Sequence, residues 1–119
     1  MIDASPELTP EAIEALGYPV ETHGQKSFNG VALLSKLPLE DITRGLAGDS
    51  EDEQARYIEA TVIGKTALRI CGLYLPNGNP RPGPKYDYKL RWMDRLTARA
   101  KQLIQLEEKL VMAGDYNII

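Results

Sequence analysis

The chain has 119 residues, 43% hydrophobic and 26% charged, an ordinary globular composition with room for one domain and a modest core. No apolar run approaches the roughly 20 residues of a membrane-spanning helix, and the N-terminus lacks a basic-then-apolar signal pattern. The single cysteine, Cys71, excludes an intrachain disulfide framework or a cysteine-based metal centre, so the expectation is a soluble, cytoplasmic protein with Cys71 as a core thiol.

The net charge of −3 does not advertise a nucleic-acid binder, yet the charges are unevenly spread. Arg81 to Lys101 holds seven Lys/Arg against two Asp, whereas Glu40 to Glu59 holds seven Asp/Glu against two Arg. A local basic face suffices to meet a phosphate backbone under physiological screening. Two solvated faces would give the same pattern, and charge alone does not separate the readings.

Taken in order, Thr9 and Pro10 form a helix start, with Thr9 as the cap and Pro10 at the first helical position, and Gly17 ends the short helix near Leu16. Tyr18, Val20 and Thr22 alternate as a strand. His23 follows at its exit, and as the one histidine of the chain it suits a structural or loop role better than catalysis. Asn29-Gly30 reads as a turn signal leading into the apolar strand Val31 to Ser35. Residues 40–54 are acidic and without a clear period, which predicts a long exposed loop.

Arg56 to Ile63 and Thr66 to Leu75 read as two long strands joined by Gly64-Lys65 as a two-residue hairpin. In the second, Leu68, Ile70, Gly72 and Tyr74 share one face, and Arg69, Cys71, Leu73 and Leu75 the other. Tyr74 is the last residue of its face before Pro76-Asn77-Gly78 breaks the strand, so its phenol can reach a site at the sheet rim. A helix is predicted from about Lys85 to Glu107, with Tyr88, Trp92, Leu96, Leu103 and Leu106 as its apolar stripe, widened by Met93, Ala100 and Ile104. Lys89, Arg91, Arg95, Arg99 and Lys101 fall largely off that stripe. The run Leu110 to Ile119 then reads as a buried strand delivering Asp115 and Asn117 to one side of the sheet end, a carboxylate and a carboxamide suited to a metal or phosphate site.

Four segments match one family in order and spacing: Ser27 to Ser35 (Ser-Phe-Asn-Gly-Val-Ala-Leu-Leu-Ser), Asp52 to Ile58, Gly72 to Gly78 (Gly-Leu-Tyr-Leu-Pro-Asn-Gly), and Gly114-Asp115-Tyr116-Asn117. Together they resemble the exonuclease III family of DNA-repair nucleases, within the endonuclease/exonuclease/phosphatase superfamily. The resemblance implies an α/β fold, part of a four-layer sandwich, with residues 1–119 forming a single partial domain. It also implies Mg2+- or Mn2+-dependent phosphodiester hydrolysis on double-stranded DNA, at abasic sites and 3′ ends.

By the same resemblance, Asp115 orients or deprotonates the attacking water and is a possible metal ligand, Asn117 is its partner, and Tyr74 contacts the scissile phosphate. Lys26, Phe28, Asn29, Gly30, Arg56 and Asn77 are similar to positions that touch or support the DNA backbone. Family members also carry a metal-binding glutamate upstream and an Asp-His pair downstream of these motifs, and this chain has neither. The chain alone is therefore expected to have little or no nuclease activity and, with sheet edges uncovered, to self-associate where the complete protein would be a monomer. The rival classes are a phosphoesterase of the same superfamily, marked by the shared Gly-Asp-x-Asn, a non-catalytic DNA-binding module, marked by salt-dependent DNA affinity that persists without metal, and a structural remnant with neither activity.

Overall fold

The two apolar runs flanking Gly64 pair in register from Tyr57↔Leu73 to Ile63↔Ala67, and the other elements are layered on that pair. The computed structural model describes residues 20–25 and 28–117. The strands there are β1 (Val20–Gln25), β2 (Phe28–Leu34), β3 (Leu39–Arg44), β4 (Tyr57–Ile63), β5 (Ala67–Tyr74) and β6 (Leu110–Asp115), with helix α1 (Pro84–Gln105) between β5 and β6. β1 and β2 form an antiparallel hairpin, while β3-β4-β5-β6 form a mixed sheet in which β6 runs parallel to β5. A parallel neighbour requires a long crossover connection, and α1 supplies it.

Alternation along β4 and β5 sends Tyr57, Cys71 and Leu73 to one face of the sheet. There, with Leu75 beyond the end of β5, they pack against Leu46 and against Trp92 and Leu103 of α1. Trp92 is 1% exposed, so its truncation to alanine would cost about 3–5 kcal/mol. Gly72 faces the other way: a Cβ built there would stand 3.4 Å from Leu33 Cδ2 of β2 and 3.3 Å from Ile58 Cγ2. The hairpin thus lies on the sheet face opposite the helix, in the layering expected of an α/β sandwich. Cys71 is fully buried within the cluster, as a core thiol should be.

Several boundaries differ from the sequence reading. The acidic stretch is not all loop, because Leu39–Arg44 pairs with β4 as an edge strand. A bulge between Glu40 and Thr43, with Asp41 at φ +52°, breaks the two-residue period that would have marked it. Asn29-Gly30 lies inside β2, with Gly30 opposite Gly24, and not in a turn. The β4–β5 connection spans Gly64, Lys65 and Thr66, because Ile63 pairs with Ala67. Leu106, Met93 and Ile104 are 54%, 41% and 66% exposed, so the buried stripe of α1 is narrower than its periodicity suggests. The final strand is not buried: Val111, Ala113, Gly114 and Asp115 are exposed, since β6 lies at the sheet edge among the described residues. The short N-terminal helix falls outside the described residues, and among those described no helix is long and apolar enough to cross a membrane.

The acidic and basic clusters turn out to be partners. Glu59, wholly buried in the middle of β4, accepts hydrogen bonds from Tyr57 Oη at 2.7 Å, Arg69 Nη1 at 2.9 Å, and Arg99 through Nε at 3.0 Å and Nη2 at 2.7 Å. Burial would push its carboxyl up, but the bonds from Arg99 and Tyr57 and the two arginine charges outweigh it and hold the pKa low. Tyr57 is driven the other way, by burial first and then by Cys71 and Glu59. Asp52 repeats the arrangement one loop earlier, accepting from Tyr88 Oη and Arg95 Nη1, both at 2.7 Å. Arg95 and Arg99 therefore fasten α1 to the sheet and to the 45–54 loop, whereas Arg91 and Lys101 remain on the exposed side.

Candidate active site

Strands β5 and β6 end side by side. Tyr74 and Asp115 are register partners at their C-terminal ends, and Leu75 N–H donates to the Asp115 carbonyl at 2.8 Å. In parallel strands, partners in register project to the same face, so a half-buried phenol and an exposed carboxylate share one rim. Among the described residues neither Tyr74 Oη nor Asp115 Oδ2 has a hydrogen-bond partner. Both are left open to a ligand.

The close approach of the strands depends on Gly114. Its φ is +146°, and a Cβ there would lie on the Leu73 carbonyl oxygen, with Leu73 C and N each at 2.9 Å. Only glycine fits between the two backbones.

Asn117 reaches the same rim by a route other than strand alternation. β6 stops at Asp115, and Asn117 adopts φ +45°, a left-handed conformation that asparagine tolerates. Its N–H donates to Asp115 Oδ1 at 2.9 Å, and its Nδ2 donates to the Leu75 carbonyl at 2.9 Å. The turn thereby fixes one carboxylate oxygen and orients the carboxamide.

Arg56 precedes β4 and clasps Tyr74. Tyr74 N–H donates to the Arg56 carbonyl at 2.8 Å, Arg56 Nη1 donates to the Tyr74 carbonyl at 3.3 Å, and the guanidinium lies 4.8 Å from the Tyr74 ring centroid. Gln54 Oε1 holds Arg56 Nε at 2.6 Å. Beside this pair opens a cavity of about 640 Å³ lined by Arg56, Asn77, Asn79, Lys85, Tyr88 and Gln54, among others. Two cations and three carboxamides with no carboxylate make a lining suited to an anion. Asn77 is held by its own turn, with Oδ1 accepting from Asn79 N–H at 3.1 Å.

Of the residues singled out in the sequence, Arg56, Tyr74, Asn77, Asp115 and Asn117 are thus gathered at one end of the sheet. Phe28, Asn29 and Gly30 lie in β2, and Lys26 falls outside the described residues. The residue types for a divalent cation are only partly present. Among the described residues no three His, Cys, Asp or Glu side chains converge, and one carboxylate, Asp115, does not make a six-ligand oxygen site. Sequence reasoning passed over Glu59, although a glutamate between Ile58 and Ala60 in an apolar strand is itself a signal of a buried pair. Lys89 falls off the apolar stripe with the other bases of the helix, and nothing in the local pattern singles it out.

Polar groups collected at the ends of adjacent parallel strands define an α/β protein with a strand-end binding site. The chain belongs to the Endonuclease/Exonuclease/phosphatase family, whose sequence profile matches residues 3–119. It is 34% identical over 113 residues to exodeoxyribonuclease III of Haemophilus influenzae, an alignment covering 91% of this chain and 41% of that protein. Among solved structures it is similar to the 3′-5′ exonuclease NExo of Neisseria meningitidis, with a TM-score of 0.85 at 36% identity over 92% of this chain and 41% of that one. A Neisseria 3′ phosphatase NExo bound to a product DNA hairpin also gives a TM-score of 0.85, at 34% identity over 94% of this chain and 42% of that one. An AP endonuclease from Archaeoglobus fulgidus gives 0.82 at 31% identity, covering 94% and 42%. The chain therefore spans about two fifths of the length of the relatives it matches.

Proposed function

We propose that this chain supplies one side of the active site of a DNA-repair nuclease of exodeoxyribonuclease III type. The reaction is hydrolysis of phosphodiester bonds in double-stranded DNA, at 3′ ends and beside abasic sites, with Mg2+ or Mn2+, by a cytoplasmic protein that is a monomer when complete. The observation that carries the reading is the pairing of Tyr74 with Asp115, each presenting an unpartnered oxygen at adjacent strand ends.

In this reading a water held between Asp115 Oδ2 and Asn117 Oδ1 loses its proton to the carboxylate as its oxygen attacks phosphorus. The opposite P–O bond breaks, and the departing alkoxide takes a proton from solvent. The Tyr74 phenol donates to a non-bridging phosphate oxygen, where charge builds in the transition state. Arg56 and Asn77, with the anion-suited cavity beside them, hold the strand flanking the scissile bond. A divalent ion would supply Lewis-acid neutralisation of phosphate charge, and Asp115 would be one of the groups that help hold it.

Chain 1–119 alone is expected to bind duplex DNA in a salt-dependent manner and to cleave it little. A chimera carrying this chain between the flanking portions of Haemophilus influenzae exodeoxyribonuclease III should cleave abasic duplex in a chelator-sensitive way, and Asp115→Asn should abolish that cleavage. A chimera that folds and binds duplex yet cleaves neither abasic sites nor 3′ ends would sink the reading. Removal of a 3′-terminal phosphate is the second reading, favoured by the likeness to the NExo phosphatase complex. A 3′-phosphorylated duplex in the same assay separates the two.

A further inference from the structure

Lys89 sits one helical turn beyond Lys85 on α1, and its ammonium reaches across the site rather than into solvent. Nζ donates to the Asn117 carbonyl at 3.0 Å and to the Asn77 carbonyl at 3.4 Å. Those two carbonyls belong to the segments that leave β6 and β5. A single cation therefore bridges the two loops that carry the carboxamides of the candidate site.

The lysine stem is seated as firmly as its head. A Cβ built on Gly78 would stand 2.7 Å from Lys89 Cδ and 3.2 Å from Lys89 Cβ, and Gly78 adopts φ +80°. The absent side chain at Gly78 thus makes the channel along which the Lys89 methylenes lie, half-buried. Buried methylenes with a polar head on carbonyls are a low-entropy way to hold an otherwise flexible side chain. The cation also meets carbonyl oxygens, with which hydrogen bonds from a charged donor are stronger than neutral ones.

We propose that Lys89 is a positioning residue that sets the separation of the Asn77 and Asn117 loops, and through them the aim of Asn117 and Asp115. Two of its three donors go to backbone carbonyls, so its role is to tie the two loops together rather than to hold a phosphate. The geometry is independent of the nuclease reading, which enters only in what the two loops are positioned for.

The test compares the wild-type chain with Lys89→Met, which keeps the stem along Gly78 and removes the donors. Backbone 15N order parameters at Asn79 and Asn117 should fall from the rigid range of about 0.85 toward about 0.6, while those of Leu73 and Ile58 stay unchanged. The salt dependence of duplex binding should keep its slope, because no phosphate contact is lost. Unchanged order at Asn79 and Asn117 overturns the proposal. So does a slope reduced by about one with the loops still ordered, the signature of a lost phosphate contact. The order-parameter arm uses no DNA, so a chain that fails to bind duplex would count against the nuclease reading and leave this test standing.

Discussion

Tyr74 and Asp115 are brought together by backbone register: they are partners on parallel strands 41 positions apart in sequence, tied by Leu75 N–H to the Asp115 carbonyl at 2.8 Å. The site is therefore only as precise as the β5–β6 ladder. That ladder rests on α1 as its crossover and on Gly114 as its closest point, so perturbations well away from the polar groups should be felt at the site.

Gly114→Ala is the sharpest such perturbation. The new Cβ would fall on the Leu73 carbonyl, which is backbone and cannot step aside as a side chain can. The φ of +146° adds strain for any L-residue. The expected loss is more than about 3 kcal/mol in urea unfolding, with β6 detached from β5. Gly72→Ala, whose Cβ would meet Ile58 Cγ2 and Leu33 Cδ2 at 3.3 and 3.4 Å and the Ile58 carbonyl oxygen at an ordinary 3.9 Å, should cost about 1–2 kcal/mol. Equal losses for the two variants would show that the β5–β6 approach is not the constraint.

Glu59 and Asp52 make the fold sensitive to acid. Their carboxyls are both held below their ordinary range, because hydrogen bonds and arginine charges outweigh the effect of burial. A carboxyl with a depressed folded pKa stabilises fully above the unfolded value, near pH 4, and that stabilisation is lost as pH falls through the folded value. The melting temperature should therefore drop steeply below about pH 4, and less steeply in an Asp52→Asn, Glu59→Gln double variant. At neutral pH, Glu59→Ala should cost about 3–5 kcal/mol, since it removes the buried acceptor of the Tyr57 hydroxyl and the carboxylate that pairs with Arg99 and Arg69. A variant that melts within a degree or two of wild type at pH 7 would contradict this.

These ion pairs also show where sequence reading stops. The apolar alternation of β4 and β5, the Trp92 stripe of α1 and the strand-end placing of Tyr74 and Asp115 were legible, because period and turn chemistry are local. The β3 strand was not, because the bulge at Glu40 to Thr43 erases the alternation. The pairing of Asp52 with Arg95 and of Glu59 with Arg99 was not either, because each joins residues about forty positions apart. Two clusters that looked like solvated faces or a nucleic-acid face are in part each other's counterions. Strand alternation alone does not account for Asn117 lying beside Asp115, since a left-handed turn brings it there.

Arg56→Ala should loosen Tyr74 more than it unfolds the chain. The substitution removes the guanidinium 4.8 Å from the ring and the bond to the Tyr74 carbonyl, while Tyr74 N–H keeps its backbone acceptor. A stability loss of about 1–2 kcal/mol is expected, together with a Tyr74 ring that samples further rotamers by NMR. Arg56→Lys should not restore the ring order, because an ammonium lacks the planar fork that bonds Gln54 and Tyr74 while stacking on the ring. Full rescue by lysine would reduce the role of Arg56 to its charge.

Metal affinity gives the last expectation. With one carboxylate at the strand ends and no convergent trio of His, Cys, Asp or Glu among the described residues, chain 1–119 should bind Mg2+ only weakly. One carboxylate on a cation that keeps most of its waters corresponds to a Kd on the order of millimolar or weaker. Titration with Mn2+ should broaden the amide resonances of Asp115 and Asn117 first, because Asn117 N–H is held on the same carboxylate. Asp115→Asn should remove that broadening and leave the Glu59 and Asp52 regions untouched, since their carboxylates are already occupied by arginines. Micromolar binding by the wild-type chain, or broadening that survives Asp115→Asn, would place the cation elsewhere and detach Asp115 from any metal-assisted role.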